Sequence, residues 1–178
     1  MTFANWLYEL GELKRMARSG WWSAKVRHPE TVAEHTWRTA VIAYALALEE
    51  DRPASEANEA AVAALFHDAV EARTLDLHKV AKTYVKADNR RAEKDQSQNA
   101  PKKTRVALDA LPANLHAIVK DADLLELAAT AQEYRAAGYS EAKTWRDGVK
   151  SKLTTKTARK WHAEICRTKP GAWYEKLR

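Results

Sequence analysis

The chain is expected to be all-α, a single helical bundle over residues 1–178. Three observations lead there. Apolar residues recur at three- and four-residue steps, no stretch alternates as a half-buried strand would, and neither an internal repeat nor a Gly-rich phosphate loop interrupts the pattern. Apolar residues make up 46% of the chain and charged ones 30%, the balance of a soluble domain long enough to bury a core.

Phe3, Trp6, Leu7, Leu10, Leu13 and Ala17 predict a first amphipathic helix ending near Ser19 and Gly20. Trp21 to His28 reads as a loop. Pro29 permits a new start, and Thr31 to Glu49 is an Ala-rich helix with few breakers. Asp51 to Ser55, with Pro53, forms a turn, and Ser55 is the expected cap of a third helix running to about Glu71. Thr74 to Leu77 is a loop before a short helix through Lys82. Ala87 to Arg105 is almost wholly polar and carries Pro101, so it reads as exposed and mobile. A long helix follows from about Pro112 to Ala137, stopped by Gly138. Ser140 is the expected cap of a last long helix carrying Trp145, Leu153, Trp161 and Ile165. Trp6, Trp37, Trp145, Trp161 and Trp173 are assigned to packing.

Composition removes several classes. The single cysteine, Cys166, excludes an internal disulfide and suits a reducing cytoplasm; it is assigned as a small buried residue beside Ile165. No apolar run reaches the roughly 18 to 20 residues of a membrane span, and the N-terminus has no signal pattern. The expected location is the cytoplasm, or a host cytoplasm for a phage-encoded chain. The formal charge of +6 and pI of about 9.4 favour an anionic partner. Lys150, Lys152, Lys156, Arg159, Lys160, Arg167 and Lys169 stand against Glu164 alone between Gly148 and Tyr174. Such a run reads as a solvated helix face, with nucleic-acid or polyphosphate attraction as the other reading.

The chemistry concentrates elsewhere. His67-Asp68 closes the apolar run 61–66, His35 lies upstream in Thr31-Val32-Ala33-Glu34-His35, and Lys120-Asp121-Ala122-Asp123 lies downstream. Glu71 follows His67 by one helical turn, so both face one cleft. His35 has Val32, Ala40 and Val41 as apolar neighbours, which places it near the core, where an imidazole needs a partner. Each residue alone is more often a packed or surface group than a ligand. Two imidazoles and two carboxylates delivered by three helices are a divalent-metal site with an adjacent acid or base. His28, His78, His116 and His162 have no comparable carboxylate pattern. Asp121 and Asp123 lie about 200° apart on a helix, so one of them enters the site, and periodicity does not choose between them.

The stretches RSGWW at 18–22, PETVAEH at 29–35, HDAVEARTLDL at 67–77 and KDAD at 120–123 resemble the histidine–aspartate (HD) phosphohydrolase superfamily, whose pattern is H…HD…D on a helical bundle. Within it the chain is most similar to the branch of 5′-deoxynucleotidases and short phage-type dATP triphosphohydrolases. That resemblance implies His35, His67, Asp68 and Asp123 as metal ligands, which selects Asp123 over Asp121. It implies Glu71 as acid/base, Asp76 near the sugar or a second divalent ion beside Glu71, and Lys82 on phosphate; Asp68, as a ligand beside the water, is also placed to orient the nucleophile. Trp21 falls where the base-and-sugar pocket is built. Arg18 corresponds to an arginine that in some relatives directly precedes the tryptophan, where this chain has Gly20. Pro112 to Val119 stands where the nucleotidases carry a longer segment.

Mixed nitrogen and oxygen ligands suit Zn, Co, Mn, Fe or Ni. Such a cation lowers the pKa of bound water from ~15.7 toward ~7. Lys82 and Lys120, with Lys79, Lys86 and Arg73 nearby, are the candidates to neutralise phosphate oxygens. Trp21, or else Trp22, is the candidate to stack on a base, with core packing as the alternative. The expectation is an enzyme acting on a small nucleotide, with no membrane and no stable nucleic-acid partner, and with the amphipathic helices left over able to pair subunits. The preferred reaction releases triphosphate from a dNTP of the dATP type. The nearest alternative is a 5′-deoxynucleotidase releasing orthophosphate from dNMPs. A basic helical nucleic-acid-binding module is the alternative of another class, and it has no use for the ligand series.

Overall fold

Thr31 opens the helix that carries the first ligand candidate. In the computed structural model, which describes residues 2–175 and 177, its hydroxyl accepts from the Glu34 amide while the Glu34 carboxylate reaches back to the Thr31 amide. This capping box satisfies two end groups and sets where α2, Val32–Glu49, begins. Before it come α1, Phe3–Gly11, a 3-10 turn at Glu12–Lys14 and another at Ser19–Ala24. After it come α3, Ala54–Phe66; α4, Glu71–Thr74; α5, Ala81–Tyr84; α6, Asn89–Ser97; and α7, Lys102–Asp109. The remaining helices are α8, His116–Ala136; α9, Ala142–Gly148; α10, Lys156–Arg167; and α11, Ala172–Glu175. Among the described residues there is no strand, only an isolated antiparallel bridge between Ala17 and Thr31. The all-α expectation holds.

The centre is α2, α3 and α8, with α10 closing one side. Ala43, Leu46 and Ala47 of α2 meet Ala57, Ala60 and Ala64 of α3 and Ile118, Ala122, Leu125 and Ala128 of α8. Alanine faces let helix axes approach closely, which brings the polar residues at their ends within bonding reach. A second cluster packs Trp21, Ala24 and Val26 against Ala131 and Ala142, with Tyr134 and Trp145 around it.

Several local expectations are corrected. The first helix stops at Gly11, not near Gly20. Of the loop expected at Trp21 to His28, residues 21–24 belong to the 3-10 turn and only 25–28 run as loop, with Trp21, Ala24 and Val26 buried. Ser55 lies inside α3, whose N-cap is Pro53 without a side-chain bond. The helix expected to reach Glu71 breaks at His67, and α4 restarts at Glu71. Ser140 caps nothing long: the last segment divides into α9 and α10, the latter capped by Thr155. The polar stretch 87–105 forms α6 and the start of α7, and it is held to the body by buried Gln96, whose Nε2 donates to the Ala69 carbonyl. Its tertiary bonds come from amides, which a hydropathy reading counts only as polar. Trp37 and Trp173 are exposed rather than packed, and Cys166 is half-buried near His162. No helix among the described residues is long and apolar enough to cross a membrane.

Candidate metal and active site

Two helix ends, a turn and one helix middle deliver the site. His35 sits in the first turn of α2, fixed by the capping box. His67 is the residue on which α3 ends, and its Nδ1 lies 2.6 Å from the Ala64 carbonyl. A carbonyl only accepts, so Nδ1 carries the proton and Nε2 is left with its lone pair outward. Asp68 follows in the turn between α3 and α4, and Asp123 lies on α8.

Their ligating atoms converge. His35 Nε2 is 3.3 Å from Asp123 Oδ1 and 3.7 Å from Asp68 Oδ2. His67 Nε2 is 3.2 Å from Asp68 Oδ2 and 4.0 Å from Asp123 Oδ1. His35, His67 and Asp123 each offer one atom within 4.8 Å of the others. Both Nε2 atoms are buried and make no hydrogen bond. Two orphaned imidazole nitrogens facing two carboxylates are costly alone and are satisfied by a cation. The donor set fits a divalent transition metal.

Asp121, the competing acid, is fully buried on the other side of α8. It accepts from the amides of Thr154 and Thr155 at 2.9 and 2.7 Å and from the Thr154 hydroxyl at 3.1 Å. It fixes the chain entering α10, while Asp123 faces the cleft.

Arg18 donates from Nη1 to Asp68 Oδ2 at 3.0 Å, and its Nη2 lies 4.0 Å from Asp123 Oδ1. Burial opposes its charge, but Asp68, Asp76 and Asp123 hold its pKa above the usual value. Asp76 accepts from the Ser19 amide at 2.8 Å and so pins the 3-10 turn bearing Trp21. Lys120 donates to Asp123 Oδ2 at 2.6 Å, steadying a ligand candidate. Trp21 is 2% exposed, edge-on to Tyr134 and near Trp145. It packs as a core residue and still contributes to the wall of a cleft of about 350 Å³ that also holds Arg18, Asp68, Glu71, Asp76, Lys82, Lys120 and Asp123. A second cleft of about 500 Å³ shares Asp68, Glu71 and Lys82 and adds Lys86 and Asn89. Trp22, by contrast, is more than half exposed and lines neither.

The electrostatics separate the carboxylates. Asp123 lies well below the usual carboxylate range, burial being outweighed by His35 and Lys120. Asp68 is lowered too, with His67, Arg18 and His35 overcoming burial. Glu71 goes the other way, pushed up to about 8 by burial and by the charges of Asp68 and Asp76, and its Oε2 has no partner. For His35, burial disfavours the charged ring, yet Asp123 and Glu126 prevail and raise it to about 9.

Residues the motifs did not flag support this centre from behind. His35 Nδ1 is 2.6 Å from Glu126 Oε2, and both side chains are fully buried. Arg38 donates to Glu126 Oε1 from Nε at 3.0 Å and Nη2 at 2.8 Å. Glu30 accepts from Trp21 Nε1 at 3.0 Å, and burial with the nearby Glu126 charge pushes its carboxyl up to about 7. The signal for two of them was spacing: Arg38 and Glu126 each follow a ligand candidate by one helical turn.

A family model described as HD domain matches residues 10–165, and the chain belongs to that family, the histidine–aspartate superfamily its motifs resemble. Over 113 residues it is 34% identical to the 5′-deoxynucleotidase HDDC2 of Xenopus laevis, a match spanning 63% of this chain and 50% of that protein. The match thus spans about half the length of this curated relative. Among solved structures, the crystal structure of genomics APC5600 is 36% identical with a TM-score of 0.83, covering 97% of this chain and 98% of that one. The coding region AF1432 from Archaeoglobus fulgidus is 31% identical with a TM-score of 0.69, covering 96% and 97%. The cyanophage S-2L HD phosphohydrolase DatZ, solved with dA and one catalytic Zn2+ ion, is 17% identical with a TM-score of 0.61, covering 90% and 96%; at that identity the likeness is one of fold.

Proposed function

We propose that the protein is a metal-dependent phosphohydrolase of 2′-deoxynucleotides that cleaves the 5′-phosphoester bond. The observation that carries this reading is the convergence of His35, His67, Asp68 and Asp123 with two unpartnered imidazole nitrogens at the base of a lysine-lined cleft. These four side chains would hold the cation, which when bound supplies an activated water and polarises a phosphoryl oxygen. Asp68 orients the nucleophilic water. Glu71, whose Oε2 is satisfied by no protein group, would take its proton as the carboxylate, the form that a neighbouring cation favours over the protonated one held in the metal-free cleft, a role typically worth ~10² to 10⁴-fold. Lys82 neutralises phosphate oxygens, and the Trp21 side of the cleft receives the nucleoside. Asp76 holds that side in place through Ser19, and it is the carboxylate that would help to hold a second divalent ion in the same cleft.

The preferred substrate is a dNTP of the dATP type, giving deoxynucleoside and triphosphate. Two clefts meeting at Asp68, Glu71 and Lys82 support it: one wall offers Trp21 to a nucleoside, and the other offers Lys82 and Lys86 to a phosphate chain. The match to HDDC2 favours the second reading, a 5′-deoxynucleotidase acting on dNMPs. The metal-loaded protein is incubated with dATP, ATP and dAMP, and the released anion is identified. Triphosphate from dATP supports the first reading, and orthophosphate from dAMP alone supports the second. No release from any of them contradicts both.

Lys82→Ala separates binding from chemistry. It is expected to raise KM for dATP about tenfold with less effect on kcat, the loss of one charge-assisted phosphate contact of about 1.5 kcal/mol. Steady-state kinetics read it directly, and an unchanged KM removes Lys82 from the phosphate site.

A further inference from the structure

We infer that Glu126 is a positioning residue for the metal centre, fixing the His35 imidazole so that Nε2, and not Nδ1, is offered to the cation. This rests on the metal-centre reading above and goes beyond it, because Glu126 touches neither cleft nor any other ligand candidate.

The geometry leaves little freedom. His35 is fully buried between α2 and α8, and its two nitrogens face opposite ways. Nδ1 meets Glu126 Oε2 at 2.6 Å, and Nε2 faces Asp68 and Asp123. A carboxylate accepts, so Nδ1 donates, and the proton that leaves when a cation binds is the one on Nε2, which puts the lone pair there. Glu126 is itself immobilised: Oε1 takes two bonds from Arg38 and one from Thr130 Oγ1 at 2.7 Å, and Arg38 is braced by Glu133 at 2.7 Å. A carboxylate so held cannot swing away when the ring turns. The same hydroxyl of Thr130 lies 3.3 Å from Glu30 Oε2, and Glu30 Oε1 receives the Trp21 indole N–H. Trp21, Glu30, Thr130, Glu126 and His35 therefore form one polar cluster, in which the single Thr130 hydroxyl proton goes to the nearer acceptor, Glu126, and Glu30 stands beside it. His67 achieves the same orientation with a backbone carbonyl. Only the ring on α2, whose helix continues past it, needs a side chain from another helix.

Outer carboxylates of this kind are typically worth ~10- to 100-fold in metal affinity. The test measures Zn2+ affinity by chelator competition for the unmodified protein, Glu126→Gln and Glu126→Ala, together with the ¹H resonance of the His35 Nδ1–H in the zinc-loaded protein. The expected results are an affinity loss within that range for Glu126→Gln and a larger one for Glu126→Ala. A far-downfield Nδ1–H is expected in the unmodified protein, moving upfield in Glu126→Gln. Unchanged affinity and resonance in Glu126→Gln overturn the inference alone. Should both variants fail to fold, the unmodified zinc-loaded protein decides: zinc bound through His35 Nδ1 overturns the inference, and a hydrogen-bonded Nδ1–H upholds it. Absence of zinc binding by the unmodified protein overturns the metal-centre reading and this inference together.

Discussion

Asp123→Ala removes metal binding and hydrolysis while the fold persists, and Asp121→Ala, two residues away, does the reverse. Asp123 places a carboxylate oxygen beside two imidazoles and near Asp68, as a ligand would, and its removal is expected to leave a cleft-facing gap that water fills. Activity is expected to fall at least ~10³-fold, since metal catalysis supplies several kcal/mol of transition-state stabilisation. The metal-free variant is expected to melt close to the unmodified protein. Asp121 is sealed under α10 and accepts from two amides and a hydroxyl. Truncating it orphans those donors in the core and costs about 3 kcal/mol or more, a fall in Tm of roughly 6 to 12 °C for a chain of this size. The folded fraction keeps its metal. Metal content and thermal unfolding of the two variants check the crossed pattern. Loss of metal with Asp121→Ala and not with Asp123→Ala would invert the assignment.

Glu71→Gln is expected to lower kcat by ~10² to 10⁴-fold with little change in KM, because a base is lost and no binding contact is. The same change should stabilise the metal-free protein, with a definite pH dependence. The folded carboxyl is raised to about 8 from an ordinary value of 4.5. Its contribution to stability is therefore complete below about 4.5 and is lost as pH rises through about 8. Glutamine never ionises, so the variant's advantage grows across that window and levels off above it. The cleft admits water, which discounts the full shift to about 1–2 kcal/mol, or a few degrees in Tm. Melting curves at pH 5 and pH 9 test the sign: equal differences at both would show that Glu71 is not held uncharged by its neighbours.

Much of the site was legible because its members stand beside strong local signals. His67 and Asp68 end an apolar run, and Thr31 to His35 carries a capping box that fixes where the helix begins. The choice between Asp121 and Asp123 was not legible from periodicity, since both border the apolar face of α8. What separates them is Leu153 to Thr155, which turns extended and presents amides to Asp121, a partner 33 residues away. Glu126 escaped although it follows Asp123 by one helical turn: its partners His35 and Arg38 lie on another helix, so the spacing alone did not show what it would bond. The polar stretch 87–105 was misjudged because Gln96 and Asn99 are buried through amide hydrogen bonds. Trp37 was assigned to packing because it lies within a helical segment, and in the fold it faces outward on α2.

Anomalous diffraction from crystals of the zinc-loaded protein tests the central claim most directly. The expected map has a principal metal peak within bonding distance of His35 Nε2, His67 Nε2, Asp68 and Asp123. A peak elsewhere, such as between Glu30 and Glu126, or no peak among these four side chains, would contradict it.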